Sequence, residues 1–168
     1  MIARPPRVRP PAVAGLFYPA DPDDLRRLVQ ACFDDAAPAA HRVHAPGDPA
    51  GADLGEDAAG PRALVVPHAG LVYSGPIAAS AYRRLAPHAH EIRRVVLLGP
   101  SHRVAFRGVA ATSADRWDTP LGPVAIDTAL VARVVAAGLA VVADEAHARE
   151  HALEVQLPFL QTVVPDAL

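Results

Sequence analysis

The chain predicts an α/β fold, with a mostly parallel or mixed central sheet and helices on both faces. Three observations carry that prediction. Ala63-Leu64-Val65-Val66 and Val95-Val96-Leu97-Leu98 are short apolar runs rich in β-branched residues, and they read as strands buried on both faces. A stretch of helical character lies between them, and strand–helix–strand alternation is the pattern of parallel pairing. Each run also ends in the same way. Pro67-His68-Ala69-Gly70 follows the first and Gly99-Pro100-Ser101-His102 the second, so proline stops the ladder and a histidine sits at the strand's carboxyl end. That rim is where open α/β sheets bind ligands.

Composition narrows the partners. The 168 residues suffice for one domain with a real core, and residues 1–168 are read as a single domain. A net charge of −2 offers no basic footprint, so nucleic acid is not an expected partner. No apolar run reaches the roughly 18 residues of a membrane helix. Arg4, Arg7 and Arg9 are not followed by the apolar segment of a signal peptide. The one cysteine, Cys32, excludes an intrachain disulfide and fits a reducing compartment, so a cytoplasmic location is expected.

Taken in order, residues 1–12 read as extended, and Pro11-Ala12-Val13-Ala14-Gly15-Leu16-Phe17-Tyr18-Pro19 is apolar enough to pack on the domain. Asp21-Pro22-Asp23-Asp24 combines an N-cap, a first-turn proline and acids at the positive end of the dipole. Leu25, Leu28, Val29, Cys32 and Phe33 then share one helical face, with Cys32 as a small buried hydrophobe. Residues 36–60 read as a long flexible loop holding a solvated His41 and His44. Ser74-Gly75-Pro76 opens a helix through about Leu85, with Ile77, Ala81 and Leu85 inward, and His88 and His90 fall in a surface exit loop. A third strand is expected over Gly108–Thr112, a turn-rich loop over Trp117–Pro123 and a short strand over Val124–Ile126. Asp127 caps a helix over 128–137 that Gly138 ends. Leu139–Val142 reads as a further strand, and Glu150–Leu160 as a helix kinked at Pro158. A last helix in such a pattern should feed another strand, so the end at Leu168 looks cut, with the C-terminal part of the fold missing.

Neutral imidazole binds Fe, Zn, Cu and Ni. His68 and His102, at adjacent strand ends, are therefore candidate metal ligands, beside the alternative of structural or acid–base histidines. An Fe(II) site would add a carboxylate, for which Asp118, Glu150 and Glu154 are the candidates. His151 opens an apolar helix between Glu150 and Glu154. It reads either as a helix-start residue bonded to Glu154 or as an acid or base at the rim. Ser101 is not a hydrolase nucleophile, because Gly99-Pro100-Ser101-His102 lacks the G-x-S-x-G elbow.

Four stretches, Pro11–Pro19, Pro67–Gly75, Leu98–His102 and Glu150–Leu160, together resemble the Memo family, whose bacterial members are called AmmeMemoRadiSam system protein B. The resemblance implies a fold like that of class III extradiol dioxygenases, which use Fe(II) to split catechol rings. It implies that His68 and His102 are metal ligands, with iron or copper as the cofactor, and gives His151 the role of the dioxygenases' nearby catalytic histidine. It places the family's third ligand, a cysteine, past Leu168. It also implies a small aromatic substrate, and protein partners in a radical S-adenosylmethionine protein and an AMMECR1-like protein. Three functions follow as expectations: a metal-dependent oxidoreductase, a non-catalytic peptide- or protein-binding module, and a zinc hydrolase on the same histidines.

Overall fold

The computed structural model describes residues 4–36, 60–165 and 167; His41, His44 and nearly all of the expected loop lie outside the described residues. Helix α1 (Pro22–Asp35) begins where its residue types require. Asp21 accepts from the N–H groups of Asp23 and Asp24 at 2.9 Å each, and its buried face is Leu25, Val29 and Cys32. Helix α2 (Leu71–Tyr82) lies against that face. A Cβ on Gly75 would overlap Cys32 Sγ, so glycine there sets how closely the helices approach. Burial, and then the charge of Asp35, push the Cys32 thiol up, consistent with an inert packing role.

Helix α2 starts three residues earlier than expected, and its inner face is a different one. Leu71, Gly75, Ala78, Ala79 and Tyr82 are buried, whereas Ile77 is 64% exposed. The small residues face α1 because only they allow the close contact. A 3-10 stretch, Arg83–Glu91, follows; it buries Leu85 and leaves His90 exposed and His88 half-buried.

The strands form two small sheets. Strand β1 (Val8–Arg9) pairs in parallel with β3 (Arg116–Thr119), which pairs antiparallel with β4 (Gly122–Ala125). Strands β2 (Ala110–Ala111) and β5 (Val141–Val142) pair in parallel. The fold is α/β with mixed pairing. The turn-rich reading of 117–123 missed a hairpin: Trp117 pairs with Val124 across it, and Gly122 takes the positive φ of 118° at its turn. Helix α3 (Thr128–Ala136) has the expected cap, Asp127 accepting from Leu130 N–H at 2.8 Å.

The two histidine-bearing runs differ from expectation. Among the described residues, neither 63–66 nor 95–98 belongs to a ladder. Leu64, Val66, Val95 and Leu97 pack on the core, while Val65 is 100% exposed and Val96 and Leu98 are 67% and 78% exposed. Both segments are therefore buried on one face only, because no described segment covers the other.

The C-terminal stretch is also not one kinked helix. A short helix α4 (Asp144–Ala148), unforeseen, precedes a 3-10 turn Glu154–Gln156 and helix α5 (Leu157–Val163). Pro158 lies in the first turn of α5, where a missing N–H breaks no helical bond. The core centres on Phe159, stacked on Tyr82 at 5.2 Å between ring centroids and meeting Phe33 edge-on at 5.8 Å. As expected, the 11–19 stretch packs down, burying Val13 and Tyr18.

Candidate metal centre

Each of three histidines is placed by a different local device. Gln156 donates to the carbonyl of Pro67 at 3.1 Å and accepts from Tyr82 OH at 3.0 Å, which ties the residue before His68 to the core. Gly99 lies so close to Ala152 and Leu153 that a Cβ would stand 2.9 Å from Leu153 Cδ2, and this contact brings the 98–102 segment alongside the 150–153 turn. Ser101 spends its hydroxyl on the carbonyl of Val104 at 2.7 Å, a turn-closing role. Phe17 packs on His151 with 4.4 Å between centroids, and its carbonyl accepts from Leu71 N–H at 2.8 Å.

The rings of His68, His102 and His151 converge. Centroid separations are 5.2 Å for His68–His102, 5.9 Å for His68–His151 and 4.6 Å for His102–His151. One ring nitrogen from each lies within 4.8 Å of the others, and His102 is the most exposed of the three. The histidines that follow the two apolar runs thus meet, although those runs are not strands, and His151 joins them.

Glu150 stands directly behind the cluster. Its Oε2 accepts from His102 N–H at 2.5 Å, and its Oε1 accepts from His151 N–H at 2.9 Å and Ala152 N–H at 3.0 Å. His102 Nδ1 lies 2.9 Å from the same Oε1. Burial would raise this carboxyl, but the hydrogen bonds from His102, Ala152 and His151 overcome it and pull the pKa down to about 2. Burial lowers the pKa of His151; the charge of Glu150 opposes this, while the neighbouring His102, His68 and Arg103 reinforce it. Its Nδ1 is buried and has no hydrogen-bond partner, although Glu150 Oε1 is only 3.2 Å away. The separation is short, but the alignment is wrong for a bond.

The other acid candidates are spoken for. Glu154 is fully buried, and does not bond His151 as the helix-start reading had it. It accepts from Arg9 Nη1 at 2.6 Å, from the N–H groups of Ala12 and Val13, and from Tyr18 OH at 2.5 Å. Arg9 in turn donates to the carbonyls of His147 and Glu150 and lies 4.2 Å from the centre of the Trp117 ring. Burial, then the bond to Glu154, push the Tyr18 hydroxyl up. Asp118 pairs with Arg116 at 3.0 Å on β3 and has no part in the cluster. Sequence reasoning left Arg9, Tyr18 and Gln156 out of the site's support. The signal for the first two was the apolar 11–19 stretch, which had to be pinned by something polar.

Three imidazoles with no carboxylate among them suit Fe, Cu, Zn or Ni rather than Mg or Ca. An orphaned ring nitrogen on His151 and a carboxylate braced against His102 fit such an ion. The residues present can therefore hold a metal.

Residues 9–167 match the family described as Memo-like protein. The chain belongs to the Memo family. Similar Memo relatives include MEMO1 family proteins of Methanopyrus kandleri, 44% identical over 160 residues, and of Ignicoccus hospitalis, 41% identical over 162 residues. A third, from Aquifex aeolicus, is 40% identical over 156 residues. These alignments cover 92%, 95% and 92% of this chain but only 52%, 53% and 50% of the relatives, so this Memo chain spans about half their length. No described helix is long and apolar enough to cross a membrane.

Proposed function

We propose that this Memo chain is a metal-binding redox protein of the cytoplasm, with a dioxygenase-like site at the rim of the histidine-bearing segments and iron or copper as the metal. One observation carries this reading: three histidine nitrogens from separate segments lie within 4.8 Å of one another. His68 and His102 would hold the ion. Bound there, it would supply one-electron chemistry toward dioxygen and a small aromatic substrate. His151, with a pKa lowered mainly by burial, is neutral near pH 7 and is the group at the rim suited to accept a proton from a substrate hydroxyl. Phe17, packed on its ring, holds it facing the cluster.

The test is an anaerobic titration with Fe(II), and separately with Cu(I) and Zn(II). About one ion per chain should bind, with binding lost in His68→Ala and His102→Ala and kept, more weakly, in His151→Ala. Retention of metal by both of the first two variants would overturn the assignment. Selectivity for Zn(II) with hydrolytic activity would favour the zinc hydrolase instead. Repeating the titration on a chain carrying the counterpart of the relatives' unmatched half tests whether a further ligand, such as a cysteine, comes from there.

A second reading has its own support. Val65, Val72, Tyr73, Val96, Leu98, Val141 and Val142 each expose more than half of their surface, and apolar surface of this kind is what a partner-binding face is made of. A non-catalytic module working with a radical S-adenosylmethionine protein and an AMMECR1-like protein would use such a face. Its partner binding should survive chelation and the loss of His151; collapse of a pull-down in chelator would sink it.

A further inference from the structure

We infer that Glu150 is a positioning residue that fixes the tautomer of His102, holding the proton on Nδ1 so that Nε2 is the nitrogen offered to the cluster. This rests on the metal reading above and adds which nitrogen binds and what selects it. The geometry leaves Glu150 no other job at that ring. Its Oε1 already accepts two backbone N–H groups, from His151 and Ala152, and faces His102 Nδ1 at 2.9 Å as an acceptor. A nitrogen facing such an oxygen bonds only if it carries the hydrogen. His102 is held at two points, because its backbone N–H donates to Oε2 of the same carboxylate at 2.5 Å. Ring and main chain are thereby set by one side chain. That side chain is almost wholly buried, only 5% exposed, so water does not compete for it.

The main chain of Glu150 is itself anchored from behind. Arg9 Nη2 donates to the carbonyl of Glu150 at 2.8 Å, and Arg9 is held by Glu154. The contact with His151 is of a different kind: its Nδ1 lies 3.2 Å from Oε1 without a hydrogen bond. Glu150 therefore orients His102, not His151.

The experiment uses the full chain labelled with ¹⁵N at histidine, first without metal, at a pH where the imidazoles are neutral. The ¹⁵N shifts of His102 should report the Nδ1–H tautomer in the wild type and a mixture in Glu150→Ala. Finding Nε2–H in the wild type overturns the inference without any variant. Co(II) affinity, read from its visible absorption, should fall about 10- to 100-fold in Glu150→Ala, the range for losing such a partner. In Glu150→Gln the amide oxygen can take the place of Oε1 and its three donors, while the amide nitrogen meets the His102 N–H donor to donor, so the tautomer should persist and affinity should fall between that of the wild type and that of Glu150→Ala. Equal affinities in all three proteins, with folding confirmed by circular dichroism, would overturn the positioning role. A wild type that takes no Co(II) would overturn the metal reading, while the tautomer still decides the role of Glu150.

Discussion

Two regions of this molecule solve the problem of buried polar groups in opposite ways. Around Glu154 everything is paired: one carboxylate takes the Arg9 guanidinium, two backbone N–H groups and the Tyr18 hydroxyl, with no exposure at all. Along 63–68 and 95–102 the chain packs on one side only, and Val65, Val96 and Leu98 face outward. The histidines sit at the junction. Glu150 belongs to the closed region, His151 lies at its edge with an unpartnered Nδ1, and His68 and His102 project from the open one. Stability is concentrated in the first region, and the capacity to change partners in the second.

The largest expected effect comes from breaking the closed region. Glu154→Ala leaves Arg9 buried without its ion partner and should cost about 3–5 kcal/mol in urea unfolding, with the double variant Arg9→Met/Glu154→Ala less harmful because it removes both charges. A loss below about 1 kcal/mol would show that the knot is not what secures residues 9–18.

Acid should separate the two regions next. His151 has a folded pKa below the ordinary 6.5, so the unfolded chain takes up its proton first and stability declines as pH falls through 6.5. Glu150 has a folded pKa of about 2 against an ordinary 4.5, so its contribution is complete above 4.5 and is lost as pH falls toward 2. The depression corresponds to roughly 3 kcal/mol at most. Urea midpoints between pH 7 and pH 3 should fall in both steps, and Glu150→Gln should flatten the lower one.

The smallest effect belongs to the open region. Val65→Thr changes a side chain that is 100% exposed and should shift stability by no more than about 0.5 kcal/mol. A clear destabilisation would mean that the outer face is covered in solution.

The same division explains what could be read in the sequence. Signals confined to a few residues were legible: the Asp21 and Asp127 caps, the buried stripe through Cys32, and proline-then-histidine at the ends of two apolar runs. Features joining distant residues were not. The parallel pairing of Val8–Arg9 with Arg116–Trp117 has no local signature, because two-residue strands are defined by their neighbours. Glu154 looked like a metal ligand for the same reason. A carboxylate beside a histidine motif reads alike whether its partner is an ion or an arginine 145 positions away. The hairpin at 116–125 was hidden by Pro120, Gly122 and Pro123, turn-type residues of which the last two here pair with Thr119 and Asp118 in the ladder.

The knot at Glu154 also constrains how the chain is made. Arg9 leaves the ribosome well before the residue that pairs with it, which is synthesised 145 positions later. At about 5–20 residues per second that is a wait of roughly 7–30 s. Throughout it, Val13, Phe17 and Tyr18 have no finished surface to cover them. The apolar 11–19 stretch is thus a natural client for a chaperone, and it can settle only once Glu154 has been made.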